Sequence, residues 1–333
     1  MRMIGIDEYD KNTMQLAEPI YDFKKRVLLA SGSTIHPKYM EKLKEIGIRS
    51  LIIEDAKSAG ITLDEMIDMP TWIDAIAVVE KAFDQVKAGK ELPLIELQQT
   101  VKKLIGEVSA RKAIVLIPTS TIADNLAQYA HAVNVALISL QIGIKLKFDQ
   151  LKLNGLGLGC LLHDIGKAVT DDHALHPEKG FQLLKSNREL SLLVTHIAFQ
   201  HHESFDGSGF PRGIKGNDIL DYAQVCSVAN DYENMISKEE VQPHEALERI
   251  MALSEKKYSH SAVLSFTNGI ISYPPGTHVR LNNGLLGIVT RIESHLHRPI
   301  VKVQGINKEL DLSEQSTMFI EKVYNDDLVE NRD

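Results

Sequence analysis

The sequence predicts a mainly α protein: a helical bundle preceded by a small α+β module and followed by a small antiparallel β extension. Three observations carry this reading. Apolar residues recur at helical spacing from residue 71 to about 254. Asn283-Gly284, between two β-prone runs, is the strongest hairpin signal in the chain. The first seventy residues alternate short β-prone runs with one helical pattern. The expected organisation is therefore 1–70 as an N-terminal module, 71–118 as connecting helices, 119–273 as the main helical domain and 274–333 as a β extension with a tail.

In the first module, residues 26–30 (RVLLA) read as a strand and Ser31-Gly32-Ser33 as its turn. Pro37 opens a helix that runs to Ile46, with Gly47 as its stop, and IRSLIIED returns as a strand. A packing or dimerisation role suits this module, so a homodimer is expected. Thr71 is placed to cap a helix in which Ile73, Ile76, Val79, Phe83 and Val86 share a face. After AGKELP the stripe repeats in Leu94, Leu97, Val101, Leu104 and Val108. Both stripes are core faces and carry no chemistry. Further helices are expected over 122–146, 153–169, 177–186, 189–202, 219–237 and 243–254. Beyond Pro274-Pro275, GTHVRLNNGLLGIVTRI reads as a hairpin, RPIVKVQG as a further strand and YNDDLVENRD as a frayed acidic tail.

A chain of 333 residues can bury a sizeable core in two or three domains. Its 44% hydrophobic and 25% charged residues exclude wholesale disorder. The net charge of −8 argues against a nucleic-acid polymer as partner, while leaving room for a small anion held by metal or lysine. Cys160 and Cys226, the only cysteines, sit in apolar stretches and are expected to be buried free thiols, which excludes a disulfide framework or thiolate metal site. The opening MRMIGIDEYDKN turns acidic before a signal-peptide run can form, and no apolar run spans a bilayer, so a cytoplasmic location is expected.

Seven of the 13 histidines fall between residues 131 and 202. His163-Asp164 lies in the apolar stretch CLLHDIGKA, expected to be helical, where burying both groups unpaired would cost several kcal/mol and a shared metal would offset that cost. Lys167, four residues after His163, is expected on nearly the same helix face, and Gly166 leaves room for a close approach. His131 sits in an apolar helix, His176 opens HPEKGFQLL, and His201-His202 end THIAFQHHE. Such an imidazole-rich set with a carboxylate suits iron, manganese or zinc better than magnesium. The loop DGSGFP follows directly.

The ordered set His131, His163-Asp164-Ile165-Gly166-Lys167, His176-Pro177, Gly180, His201-His202-Glu203 and Asp206-Gly207-Ser208-Gly209-Phe210-Pro211 resembles the HD-GYP domain of the HD phosphohydrolase superfamily, over about residues 120–255. Phe210 stands where the family signature has tyrosine. The resemblance implies an HD-type helical bundle that binds two or three iron or manganese ions and hydrolyses cyclic di-GMP to pGpG or GMP. It makes His131, His163, Asp164, His176, His201 and His202 metal ligands, with Asp164 bridging and Lys167 the phosphate or water partner. Gly207, Gly209, Phe210, Pro211, Arg212 and Lys215 would line the substrate, and Glu203 and Asp206 would brace the loop. His173 and His196, claimed by no motif, read as structural or exposed.

Three departures refine the expectation. Ala127 occupies the position of the glutamate that accompanies a third metal, so two divalent ions are expected, iron or manganese first and zinc next. The last ligand of the family aligns with Asn230, a weaker carbonyl donor; a small helix rotation would substitute Asp231. The family's basic segment is replaced by SKEEVQPHE, where Lys238 and His244 are the only basic residues, and Arg212 or Lys215 would have to compensate. The expected activity is a metal-dependent phosphodiesterase acting on cyclic di-GMP through a hydroxide shared by two ions about 3.5–4 Å apart. A non-catalytic cyclic di-GMP sensor or partner-docking protein, and a phosphohydrolase for another nucleotide, are the alternatives.

Overall fold

A computed structural model describes residues 1–22, 24–305 and 308–324; most of the acidic tail, read above as frayed, lies outside the described residues. The chain divides into two compact units, one of residues 1–64, 120–123 and 271–333, the other of residues 65–119 and 124–270.

In the first unit, β1 (Arg2–Gly5), β5 (Ser50–Glu54) and β2 (Gln15–Leu16) form an antiparallel sheet with β5 central. β3 (Ile20–Tyr21) and β4 (Val27–Leu29) pair as a two-stranded ribbon. Between them and β5 runs α1 (Pro37–Glu45), with Pro37 in its first turn and His36 as its cap. Ile4, Ile6, Leu16, Ile35, Leu43, Ile48, Leu51 and Ile53 form the core of this part. The C-terminal strands β6 (His278–Leu281), β7 (Leu286–Arg291), β8 (Ile300–Val303), β9 (Glu309–Asp311) and β10 (Ile320–Val323) make one antiparallel sheet in the order β10-β6-β7-β8-β9. The hairpin read from Asn283-Gly284 joins β6 to β7. β1, β2 and β3 were too short or too mixed in polarity for a period-two signal.

The second unit is all helical. α2 (Met69–Lys87) begins earlier than the pattern suggested: Asp68, not Thr71, is the cap, its carboxylate accepting from Thr71 N at 3.0 Å. α3 is Leu94–Ser109. α4 (Ala127–Lys145) is buried almost all round and packs against α2, α3, α5 (Gln150–Leu161) and α8 (Asp221–Ser237). A helix buried on nearly every face is the expected occupant of a bundle centre. α6 (His176–Lys185), α7 (Leu192–Gln200) and α9 (Pro243–Ala252) match the sequence reading closely, while α10 (His260–Thr267) was not anticipated. Trp72, Phe83 and Phe266 are fully buried, each contributing about 1.5–3 kcal/mol of apolar burial.

One correction bears on the site. The expected helix over 153–169 stops at Leu161, so His163 and Asp164 lie in a turn leading to a 3₁₀ segment, Ile165–Ala168. The turn lets the chain bend back under α6. A Cβ on Gly166 would fall 2.0 Å from the His176 carbonyl oxygen, so only glycine permits this approach.

Candidate metal centre

Four elements deliver imidazoles to one carboxylate. His131 comes from the second turn of α4, His163 from the turn after α5, His176 from the first residue of α6 and His201 from the C-terminal cap of α7. Asp164 turns Oδ1 toward His176 Nε2 (3.2 Å) and His201 Nε2 (3.7 Å). Its Oδ2 faces His163 Nε2 (3.5 Å), His131 Nε2 (3.8 Å) and Lys167 Nζ (2.5 Å). Lys167 therefore reaches Asp164 across three residues of 3₁₀ backbone rather than along an α-helical face.

The tautomers follow from the partners of each Nδ1. A carbonyl or carboxylate oxygen only accepts, so an Nδ1 facing one must carry the proton. His163 Nδ1 faces Cys160 O (2.7 Å), His176 Nδ1 faces His173 O (2.8 Å) and His201 Nδ1 faces Ala198 O (3.0 Å). His131 Nδ1 donates to Glu233 Oε2. In the neutral rings all four Nε2 lone pairs thus point inward, around Asp164. His176 Nε2 and His201 Nε2 approach to 3.2 Å, and the fully buried His163 Nε2 has no hydrogen-bond partner among the described residues. Facing lone pairs repel, and an orphaned buried acceptor costs about 1–3 kcal/mol. A divalent ion relieves both, and the donor set of imidazole and carboxylate fits one. Among the described residues two groups could hold ions: His131, His163 and Asp164, and His176, His201 and His202.

Of the remaining sequence-predicted residues, His202 stacks on Phe210 (4.7 Å between centroids, 14° between planes). Phe210 N donates to His202 O, and a Cβ on Gly209 would lie 2.4 Å from that same oxygen, so the glycine loop folds back on the histidine pair. Glu203 accepts from Arg212 N (2.9 Å) and Asp206 from Ser208 N (2.9 Å), which ties Gly207 to Pro211 into a closed loop. The Arg212 guanidinium lies over the Phe199 ring at 5.7 Å, and Lys215, exposed, packs its stem near Gly207. Neither cation is drawn to the Asp164 carboxylate. Asn230 is buried with its Oδ1 toward Asn234 Nδ2 (3.3 Å). Asp231 accepts from Tyr258 Oη (2.7 Å) and pairs with Lys257 (2.8 Å), so its carboxylate is committed elsewhere. His173 is exposed, with its ring 4.9 Å from His202 and 5.5 Å from Phe210; His196 packs on Phe181, away from this group.

Sequence reasoning missed Glu233. It is fully buried on α8, one turn before Ser237, whose hydroxyl donates to Oε1 at 2.6 Å. A glutamate on the helix face shared with Cys226, Ala229 and Asn230 was the available signal.

A family model for the HD domain matches residues 129–235, the stretch that supplies all of these imidazoles and Glu233. Over that stretch the chain is similar to the HD domain. The chain is similar to a Pseudomonas aeruginosa cyclic di-GMP phosphodiesterase, 27% identical over 252 residues, covering 69% of this chain and 60% of that protein. A Thermotoga maritima cyclic di-GMP phosphodiesterase is 29% identical over 163 residues, covering 43% of this chain and 44% of that one. The chain thus spans about half the length of these two relatives. Among solved structures, an HDG"Y"P protein of Bdellovibrio bacteriovorus shares the fold, with a TM-score of 0.51 at 18% identity over 79% of this chain and 97% of that one. The HD-GYP resemblance read from the motifs is borne out. Among the described residues no helix is long and apolar enough to cross a membrane.

The HD domain holds its site in the charge state a cation needs. Burial pushes the His163 imidazole down to about 4, against the opposing pull of Asp164. Burial, with His176 beside it, pushes His202 down to about 3, and burial with His202 beside it takes His201 well below its ordinary value. For Asp164 burial acts upward, yet His163, His176, Lys167 and His201 around it outweigh it and hold the carboxyl well below the usual range. Neutral imidazoles around an ionised carboxylate are the protonation states that metal ligands require.

Proposed function

We propose that this chain is a metal-dependent phosphodiesterase that hydrolyses cyclic di-GMP to pGpG, GMP or both. The observation that carries the proposal is the Asp164 carboxylate, with one oxygen facing His131 and His163 and the other facing His176 and His201. A carboxylate so placed would serve as a ligand to both groups. His131, His163 and Asp164 would hold one, and His176, His201, His202 and Asp164 the other; iron or manganese is the expected metal, with zinc next. When bound, the ions would supply Lewis acidity toward a phosphodiester and lower the pKa of a bound water.

The chain's own groups would do the rest. Lys167 Nζ, about a third exposed and hydrogen-bonded to Asp164 Oδ2, stands where a phosphoryl oxygen would arrive and would stabilise charge growing there. His202 and Phe210 would form an aromatic wall, and the closed loop from Gly207 to Pro211 would keep that wall in place. Arg212 and Lys215 would supply positive charge for the second phosphate. No side-chain nucleophile is required. The relatives' names support the substrate assignment, and the test is direct. Anaerobically prepared protein, assayed for metal content and for products on the same sample, should contain two ions per chain and open the dinucleotide ring. Metal-loaded protein that binds cyclic di-GMP and returns it intact would sink the proposal.

One observation favours a second reading, a sensor that binds the dinucleotide without turnover. Asn230 turns its oxygen to Asn234, and Asp231 is tied to Tyr258 and Lys257, so the last ligand is weak. Comparing cyclic di-GMP with other cyclic dinucleotides in the same assay separates both readings from hydrolysis of another nucleotide.

A further inference from the structure

Trp72, the only tryptophan in the chain, lies on α2, outside the residues matched to the HD domain. Its indole Nε1 donates to Asn134 Oδ1 at 2.9 Å. Asn134, three residues after His131 on α4, uses its amide nitrogen for Ile117 O (2.9 Å) and Glu233 Oε1 (3.2 Å). Glu233 Oε2 accepts from His131 Nδ1. Trp72, Asn134 and Glu233 are each at most 1% exposed.

The direction of this chain of hydrogen bonds is forced at each step. An indole N–H can only donate, so the oxygen of Asn134 must face Trp72 and its NH₂ must face Glu233. A carboxylate can only accept, so the proton of His131 must sit on Nδ1. The lone pair left on Nε2 then faces Asp164. Reversing the amide would set its oxygen against the Glu233 carboxylate.

We infer that Trp72 is a positioning residue for the metal centre, acting through Asn134 and Glu233 to hold His131 in its Nε2-binding tautomer. α2 thereby belongs to the site although it lies outside the family match. The inference rests on the proposal that His131, His163 and Asp164 hold an ion, since without one the tautomer of His131 has no consequence.

The test uses the full chain, freed of metal and titrated with Zn²⁺, which does not itself quench fluorescence. Calorimetry follows the ions and emission follows Trp72. In the wild type the emission should change with one binding event, that at the His131 group, and stay flat through the other. Glu233→Gln should weaken that event roughly 10–100-fold, as loss of a direct partner of a ligating histidine does, and Trp72→Phe should weaken it by about 10-fold at most. The event at His176, His201 and His202 should keep its affinity in both variants. Emission indifferent to bound Zn²⁺ would overturn the inference while leaving the metal proposal standing, as would equal weakening of both events by Trp72→Phe. A wild type that takes up no ion would overturn both. The emission measurement needs no variant, so a poorly folding Trp72→Phe protein does not block the decision.

Discussion

His176 and His201 bring their Nε2 atoms within 3.2 Å while both Nδ1 atoms face main-chain carbonyls. Neither ring can supply a proton to that gap without becoming charged in a buried place. A cation is the economical filler. Adding Mn²⁺ to chelated protein should therefore raise the melting temperature, with a stabilisation of about 2.7 kcal/mol at a hundredfold excess over Kd. Thermal melts with and without chelator check this, and superimposable curves would count against a metal in the gap.

Asp164→Asn should empty both groups together. The amide keeps the shape, yet it offers one neutral oxygen to four imidazoles and turns an N–H toward lone pairs. Metal stoichiometry should fall toward zero and activity by roughly 100-fold or more. Loss of a single ion would mean the carboxylate does not bridge.

Lys167→Met should separate chemistry from metal binding. The ammonium, about a third exposed, hydrogen-bonds Asp164 Oδ2. Its removal should leave metal content intact and lower kcat by about 10²–10³, the usual cost of one donor to developing negative charge. Unchanged kcat would assign Lys167 to structure.

Gly166→Ala should be disproportionately damaging for a single methyl. The new Cβ would overlap the His176 carbonyl at 2.0 Å and the Gly180 nitrogen at 2.7 Å, both main-chain atoms that cannot rotate away. α6 must shift and carry His176 with it, so a stability loss of at least about 2 kcal/mol should accompany weaker metal binding. Denaturant melts and metal titration read the two effects separately.

Acid should destabilise the metal-free protein earlier than carboxylate titration alone would. His163 is held near 4 in the folded chain against about 6.5 when unfolded, so between those values the unfolded chain binds more protons. Stability then rises with pH across that window and falls as pH drops from 6.5 toward 4, by on the order of 3 kcal/mol for this group. Asp164 acts in the same direction at lower pH, since a depressed carboxyl loses its contribution only as it is protonated. Melting temperatures of chelated protein from pH 7 to 4 should decline throughout. His163→Gln should flatten the upper part of that decline.

Much of this protein is written in linear order. Helical periodicity placed α2 to α9 because their apolar faces repeat locally, and Asn283-Gly284 placed the β6–β7 hairpin because the turn chemistry is local too. The HD and HH pairs, with Lys167 and the glycine loop, named the group that converges on Asp164. Linear order could not say that α5 would stop at Leu161, since the stop answers to the close seating of Gly166 beneath α6. It could not choose between Asn230 and Asp231 either, because Tyr258 and Lys257 commit Asp231 from 26 to 27 residues away. Nor could it show Glu233 beneath His131 or Trp72 behind Asn134, pairs separated by 102 and 62 residues. Residue type and spacing are local properties, whereas the proton on a buried imidazole is decided by whichever distant oxygen the packed chain brings to its other nitrogen.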